Sequence, residues 1–165
     1  MKAVVMDLIL WRHAEAQDHP FGVVGGPGDP LDLERRLTPR GEKQAARMAA
    51  WLDRQLPDGA RIYASPAARA EQTAQALGRK LKLRDELAPD GDPLALLELV
   101  QWPNGKSPVV VVGHQPMLGS VIARLLGLPE EYCPMKKGAL WWLRSRERDG
   151  TLQTVLVTVQ TPELI

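Results

Sequence analysis

The chain has 165 residues, and 21 lysines and arginines against 20 aspartates and glutamates leave a formal net charge of +1. That length suits one domain over residues 1–165, with a core large enough to need no disulfide or metal. A content of 44% hydrophobic and 25% charged residues excludes intrinsic disorder. The near-neutral balance gives no reason to expect nucleic acid or an anionic membrane as a partner, and the one cysteine, Cys133, rules out an internal disulfide framework and a cysteine-based zinc site. Both features favour a reducing, cytoplasmic setting.

No apolar stretch approaches the roughly 18–20 residues that a membrane span needs. The N-terminus loosely mimics a signal peptide, with Lys2, an apolar run and Ala14-Glu15-Ala16, but Asp7 interrupts the run and Arg12-His13 stands where the apolar region should end. Leu8-Ile9-Leu10-Trp11 reads instead as a strand. Phe21 to Pro30, with four glycines and two prolines, reads as a surface loop. Thr38-Pro39 reads as an N-cap and first helical position, Ala45, Met48, Ala49, Leu52 and Leu56 follow at helical spacing, and Pro57-Asp58-Gly59 stops that helix. Arg61 to Ala64 is a second strand, and Ser65-Pro66 opens a second helix carrying Ala70, Thr73, Ala74 and Leu77 on one side. A turn-rich loop from Pro89 to Pro93 precedes a weaker helical pattern (Leu94, Leu97, Glu98, Val100). Val109 to Val112 has the continuous β-branched run of a strand covered on both faces. Gly113-His114-Gln115-Pro116 turns into a helix with Leu118, Val121, Ile122 and Leu125 apolar, and two strands, Leu140 to Leu143 and Val155 to Val159, flank the hairpin signal Asp149-Gly150. Strands alternating with helices imply an α/β fold: three layers, a mainly parallel central sheet and helices on both faces.

In such sheets ligands bind beyond the carboxyl ends of the strands. Three polar groupings fall there: Arg12-His13, Ser65-Pro66-Ala67-Ala68-Arg69 and Gly113-His114. A lone strand-end histidine is usually a cap or a surface residue, and an arginine in a first helical turn gains nothing from the helix dipole. Arg69 therefore makes more sense if an anion joins it, and two histidines with two arginines at one sheet edge are hard to dismiss. Zinc catalysis usually needs three protein ligands, and neither a cysteine pair nor an HExxH pair is available. There is no G-x-S-x-G elbow and no P-loop. Two imidazoles and two guanidiniums remain, a set suited to phosphoryl transfer through a phosphohistidine: guanidinium binds phosphate bidentately and imidazole forms covalent intermediates at neutral pH.

These segments resemble the histidine phosphatase superfamily, which has the phosphoglycerate mutase-like fold. Arg12-His13-Ala14-Glu15-Ala16 looks like its Arg-His signature, Leu37-Thr38-Pro39-Arg40-Gly41 its Leu-Thr-x-x-Gly segment, Ser65 to Thr73 its Ser-Pro-x-x-Arg-x-x-Gln-Thr segment, and Val112-Gly113-His114 its strand-end second histidine. The match runs in family order from about Leu8 to about Gly119, and Ala-Glu-Gln-Thr and Gly-His-Gln-Pro are similar to the small SixA-type phosphohistidine phosphatase branch, without a large lid insertion. The resemblance implies that His13 accepts the phosphoryl group, that Arg12, Arg69 and His114 bind its oxygens, and that no metal or other cofactor takes part, because the arginines take over charge neutralisation. His114 would then be most useful protonated, its pKa raised by an incoming phosphate dianion.

The proton donor is where the chain departs from the wider family. Many members carry a glutamate after the second helix, near Glu86 to Pro89, and here that place holds Ala88-Pro89. The donor stays open among Glu15, Asp18, Glu86, Asp90 and Asp92, or none of them. An alkoxide leaving group needs a proton, whereas an imidazole, with a conjugate-acid pKa of about 6.5, departs far more easily. A site without a dedicated acid therefore suits a phosphohistidine on a protein better than a small phosphate ester. The competing readings are a phosphomonoesterase for a sugar or nucleoside phosphate and a non-catalytic phosphate-binding regulatory module. Elsewhere, Lys136-Lys137 reads as a solvated pair, Glu71 and Gln72 as helix-surface positions, His19 as a loop residue, Cys133 as structural, and Trp141-Trp142 as one core and one partly exposed ring.

Overall fold

The computed structural model describes residues 2–22 and 28–165. Six strands, β1 (Lys2–Arg12), β2 (Arg61–Ala64), β3 (Lys82–Leu83), β4 (Val109–Gly113), β5 (Leu140–Arg148) and β6 (Thr151–Gln160), form one sheet in the order β3-β2-β4-β1-β5-β6. β1, β2, β3 and β4 run parallel, and β5 and β6 add an antiparallel edge. The helices are α1 (Pro30–Leu33), α2 (Pro39–Gln55), α3 (Ala68–Gln75), α4 (Pro93–Val100) and α5 (Met117–Leu126). No helix among the described residues is long and apolar enough to cross a membrane.

Alternating side chains of the central strands feed two cores. Leu8, Leu10, Val109 and Val111 pack with Leu96, Val100, Leu118, Val121 and Ile122 from α4 and α5. Ile9, Trp11, Val110 and Val112 pack with Met48, Ala49 and Leu52 of α2 and Ala70 and Ala74 of α3. A strand covered on both faces must be apolar at every position, which explains the valine run. Trp142 is buried in the second core and Trp141 packs part-buried on the first.

Local chemistry sets the boundaries. Thr38 caps α2 by accepting the amide of Gly41 at 3.0 Å, and Pro39 takes the first helical position. The hairpin between β5 and β6 turns on Asp149 and Gly150, both at positive φ, as a tight two-residue turn requires. β1 reaches well before Leu8, because β5 pairs with it back to Lys2 and Arg144 satisfies the Asp7 carboxylate at 2.7 Å. The expected loop from Phe21 to Pro30 gives way to α1 at Pro30, and its residues 23–27 lie outside the described residues. The second helix begins at Ala68 rather than at Ser65, whose hydroxyl accepts the Ala67 amide at 3.1 Å.

Candidate active site

β4 lies between β1 and β2, so the three sequence groupings meet at one edge. The His13 amide donates to Gly113 O at 3.1 Å, and the Ser65 amide to Val112 O at 3.0 Å. This places His13, Ser65 and His114 side by side. Arg12, His13, Arg69 and His114 line one cleft of about 200 Å³, together with Ala16, Arg35, Pro89, Gln115 and Lys137. The imidazoles of His13 and His114 lie 5.2 Å apart between ring centroids. Three of the four residues are almost fully buried: His13 is 6% exposed, Arg69 4% and His114 3%.

Each side chain is held by backbone or by a neighbour. His13 Nδ1 lies 2.8 Å from the Ala14 carbonyl. A carbonyl only accepts, so Nδ1 carries the proton and Nε2 the lone pair. Arg12 donates through Nη1 to Met135 O at 2.6 Å. Arg69 donates to the Asp32 carbonyl at 2.8 Å and to its carboxylate at 3.2 Å. The Nε atoms of Arg12 and Arg69 are buried without a hydrogen-bond partner among the described residues. Buried donors of this kind are costly unless an acceptor meets them, and a tetrahedral oxyanion in the cleft would supply one. His114 Nε2 lies 2.7 Å from Ser65 Oγ.

Both histidines are poor bases here. Burial, then the charges of Arg69, Arg12 and Arg35, lower the His13 pKa to about 3, against the opposing effect of the Ala14 hydrogen bond. Burial, then His13 and the same guanidiniums, lower His114 to about 2. On the protein alone His114 is therefore neutral, whereas the expected protonation of the second histidine concerned the site with a phosphate dianion bound. Partial burial raises the Asp32 carboxyl, but the charges and hydrogen bonds of Arg69 and Arg35 outweigh it and hold it below the usual range.

Asp32, Arg35, Gln115 and Lys137 are the residues that sequence reasoning missed. Asp32 is the anion that joins Arg69, and Arg35 binds it from the other side at 3.0 Å. Lys136 and Lys137 are both exposed, as a solvated pair should be, and Lys137 in addition lines the cleft. Gln72 is no free surface residue, since its Oε1 accepts the Leu37 amide at 2.8 Å. None of the five carboxylates considered as proton donor lines the cleft. Glu86 pairs with Arg84 at 2.7 Å, Glu15 accepts from Thr38 at 2.9 Å, Asp92 caps α4, Asp18 is exposed, and Asp90 lies in an exposed turn. His19 donates to Asp29 at 2.8 Å and accepts the Phe21 amide, a staple within its loop.

The model of the histidine phosphatase superfamily (branch 1) matches residues 8–90. The phosphohistidine phosphatase SixA of Escherichia coli is 35% identical over 138 residues, covering 79% of each chain. A structure of the protein histidine phosphatase SixA complexed with tungstate aligns at a TM-score of 0.67 and 26% identity, over 95% of this chain and 97% of that one. A phosphoserine phosphatase of Entamoeba histolytica in complex with phosphoserine shares the fold, at a TM-score of 0.70 and 19% identity, over 97% of this chain and 100% of that one. Motif order, strand-end geometry and relatives agree: the chain belongs to the histidine phosphatase superfamily, on its SixA side, and is a phosphatase.

Proposed function

We propose that the enzyme hydrolyses phosphohistidine on a protein, without a metal, through a phosphoryl group carried by His13. His13 Nε2 attacks phosphorus, the bond from phosphorus to the substrate imidazole breaks, and its electron pair leaves with that ring. Water then attacks phosphorus, phosphate departs, and Nε2 regains its pair. Arg12, Arg69 and His114 bind the phosphoryl oxygens, and Arg35 and Lys137 add positive charge around them. Charge stabilisation and positioning are the main demands of phosphoryl transfer.

The observation that supports this substrate class is the make-up of the cleft walls. The lining residues include no carboxylate, and both imidazoles are held neutral. No carboxylic acid or imidazolium lines the cleft to protonate an alkoxide, whereas a substrate imidazole that carries a proton on its other nitrogen leaves as the neutral ring, with a conjugate-acid pKa of about 6.5. The SixA relatives support the same reading. The single cysteine fits a cytoplasmic setting for it.

The test is a comparison of rates on a phosphohistidine-bearing protein, phosphoserine and a sugar phosphate, with a chelator present. A missing general acid is worth about 10²–10⁴-fold, so the phosphohistidine rate should exceed the others by at least about a hundredfold. Equal rates on alkyl phosphates would overturn the substrate assignment, and loss of turnover in the chelator would overturn metal independence.

A further inference from the structure

Ser65 touches His114 without lining the cleft, and it has no part in the chemistry above. It is fully buried at the end of β2. Its Oγ accepts the Ala67 amide at 3.1 Å and lies 2.7 Å from His114 Nε2. A hydroxyl has one proton and two lone pairs. If His114 also donated to it, the hydroxyl proton would be buried with no acceptor among the described residues, a costly arrangement. The opposite polarity satisfies every group: Ser65 donates to Nε2, and the proton of the neutral ring sits on Nδ1.

The surroundings favour the same form. Arg12 on β1, Arg35 beyond α1, Arg69 on α3 and the His13 ring all act on His114, Lys137 lines the same cleft, and the nearby carboxylate of Asp32 is engaged by Arg69 and Arg35. A second proton on the imidazole is therefore disfavoured. We infer that Ser65 is a positioning residue that locks His114 as the Nδ1–H tautomer, so that His114 serves phosphoryl oxygens as an uncharged hydrogen-bond donor rather than as an acid. This rests on the phosphatase reading of the cleft. The two histidines then share a tautomer and use opposite ring atoms: His13 offers the Nε2 lone pair and His114 the Nδ1 proton.

The chain has three histidines, so nitrogen-15 NMR of histidine-labelled protein resolves their ring nitrogens, with His19→Asn and His114→Gln variants for assignment. At neutral pH the wild-type protein should show His114 protonated on Nδ1 and unprotonated on Nε2. In Ser65→Ala the two tautomers should mix, and kcat on a phosphohistidine protein should fall about tenfold with KM within about twofold. Ser65→Thr keeps the hydroxyl and should restore both. A wild-type His114 protonated on Nε2, or on both nitrogens, would overturn the inference, as would an unchanged kcat in Ser65→Ala. The wild-type spectrum needs no variant to fold and no substrate, so its outcome is separate from that of the substrate comparison.

Discussion

An imidazole attacks phosphorus only through a nitrogen with a free lone pair, and the Ala14 carbonyl leaves His13 Nε2 in that state. Burial and the neighbouring guanidiniums keep it unprotonated far below the ordinary value of 6.5. The pH dependence of kcat/KM reports groups of the free enzyme. It should therefore stay level from about pH 8 to about pH 5, after correction for substrate ionisation, and a half-loss near 6.5 would show that His13 titrates normally. Arg69 makes a second case at this scale. Its planar fork reaches both the carbonyl and the carboxylate of Asp32, and a lysine cannot reproduce that geometry. Arg69→Lys should lower kcat/KM by about a hundredfold in steady-state assays, and near-wild-type activity would mean that charge alone suffices. The histidines and arginines were legible in the sequence because each stands beside a strand end or a Ser-Pro turn. Asp32, Arg35 and Lys137 were not, because the short α1, the turn after it and the segment before β5 bring them to Arg69 and the cleft from segments with no period of their own.

The connecting elements hold these side chains by close backbone approach. A Cβ on Gly41 would land on the Glu15 carbonyl oxygen, so the start of α2 packs directly on the segment after His13. Thr73 of α3 accepts the buried Ala14 amide at 3.1 Å and donates to Arg69 O at 2.8 Å, tying the two motifs together. Gly41→Ala should destabilise the protein by about 1–3 kcal/mol in urea unfolding, and an unchanged midpoint would show that the contact is soft. Periodic segments such as α2, α5 and β4 were readable from spacing. α1 and β3 were not, since four residues and two residues are too short to show a period. The early start of β1 was hidden by Asp7, whose charge is answered by a strand more than a hundred residues later.

For the whole molecule, placing two neutral histidines inside the fold links stability to pH. Their folded pKa values lie below the ordinary 6.5, so as pH falls below that value the unfolded chain takes up protons that the folded protein does not. Their contribution is complete above about pH 6.5 and is lost toward the folded values, at roughly 1.4 kcal/mol per pH unit for each histidine. Urea unfolding should show a steep fall in stability from pH 7 to pH 5, and a protein with asparagine at both positions should show a flatter one. Equal slopes would mean that these histidines titrate as they do in the unfolded chain.

The most direct measurement is to trap the covalent intermediate. After brief exposure to a radiolabelled phosphohistidine protein and rapid quenching, the account predicts an acid-labile, base-stable label on His13 that is lost, together with turnover, in His13→Ala. A label on another residue, or a His13→Ala protein that turns over at the wild-type rate, would contradict it.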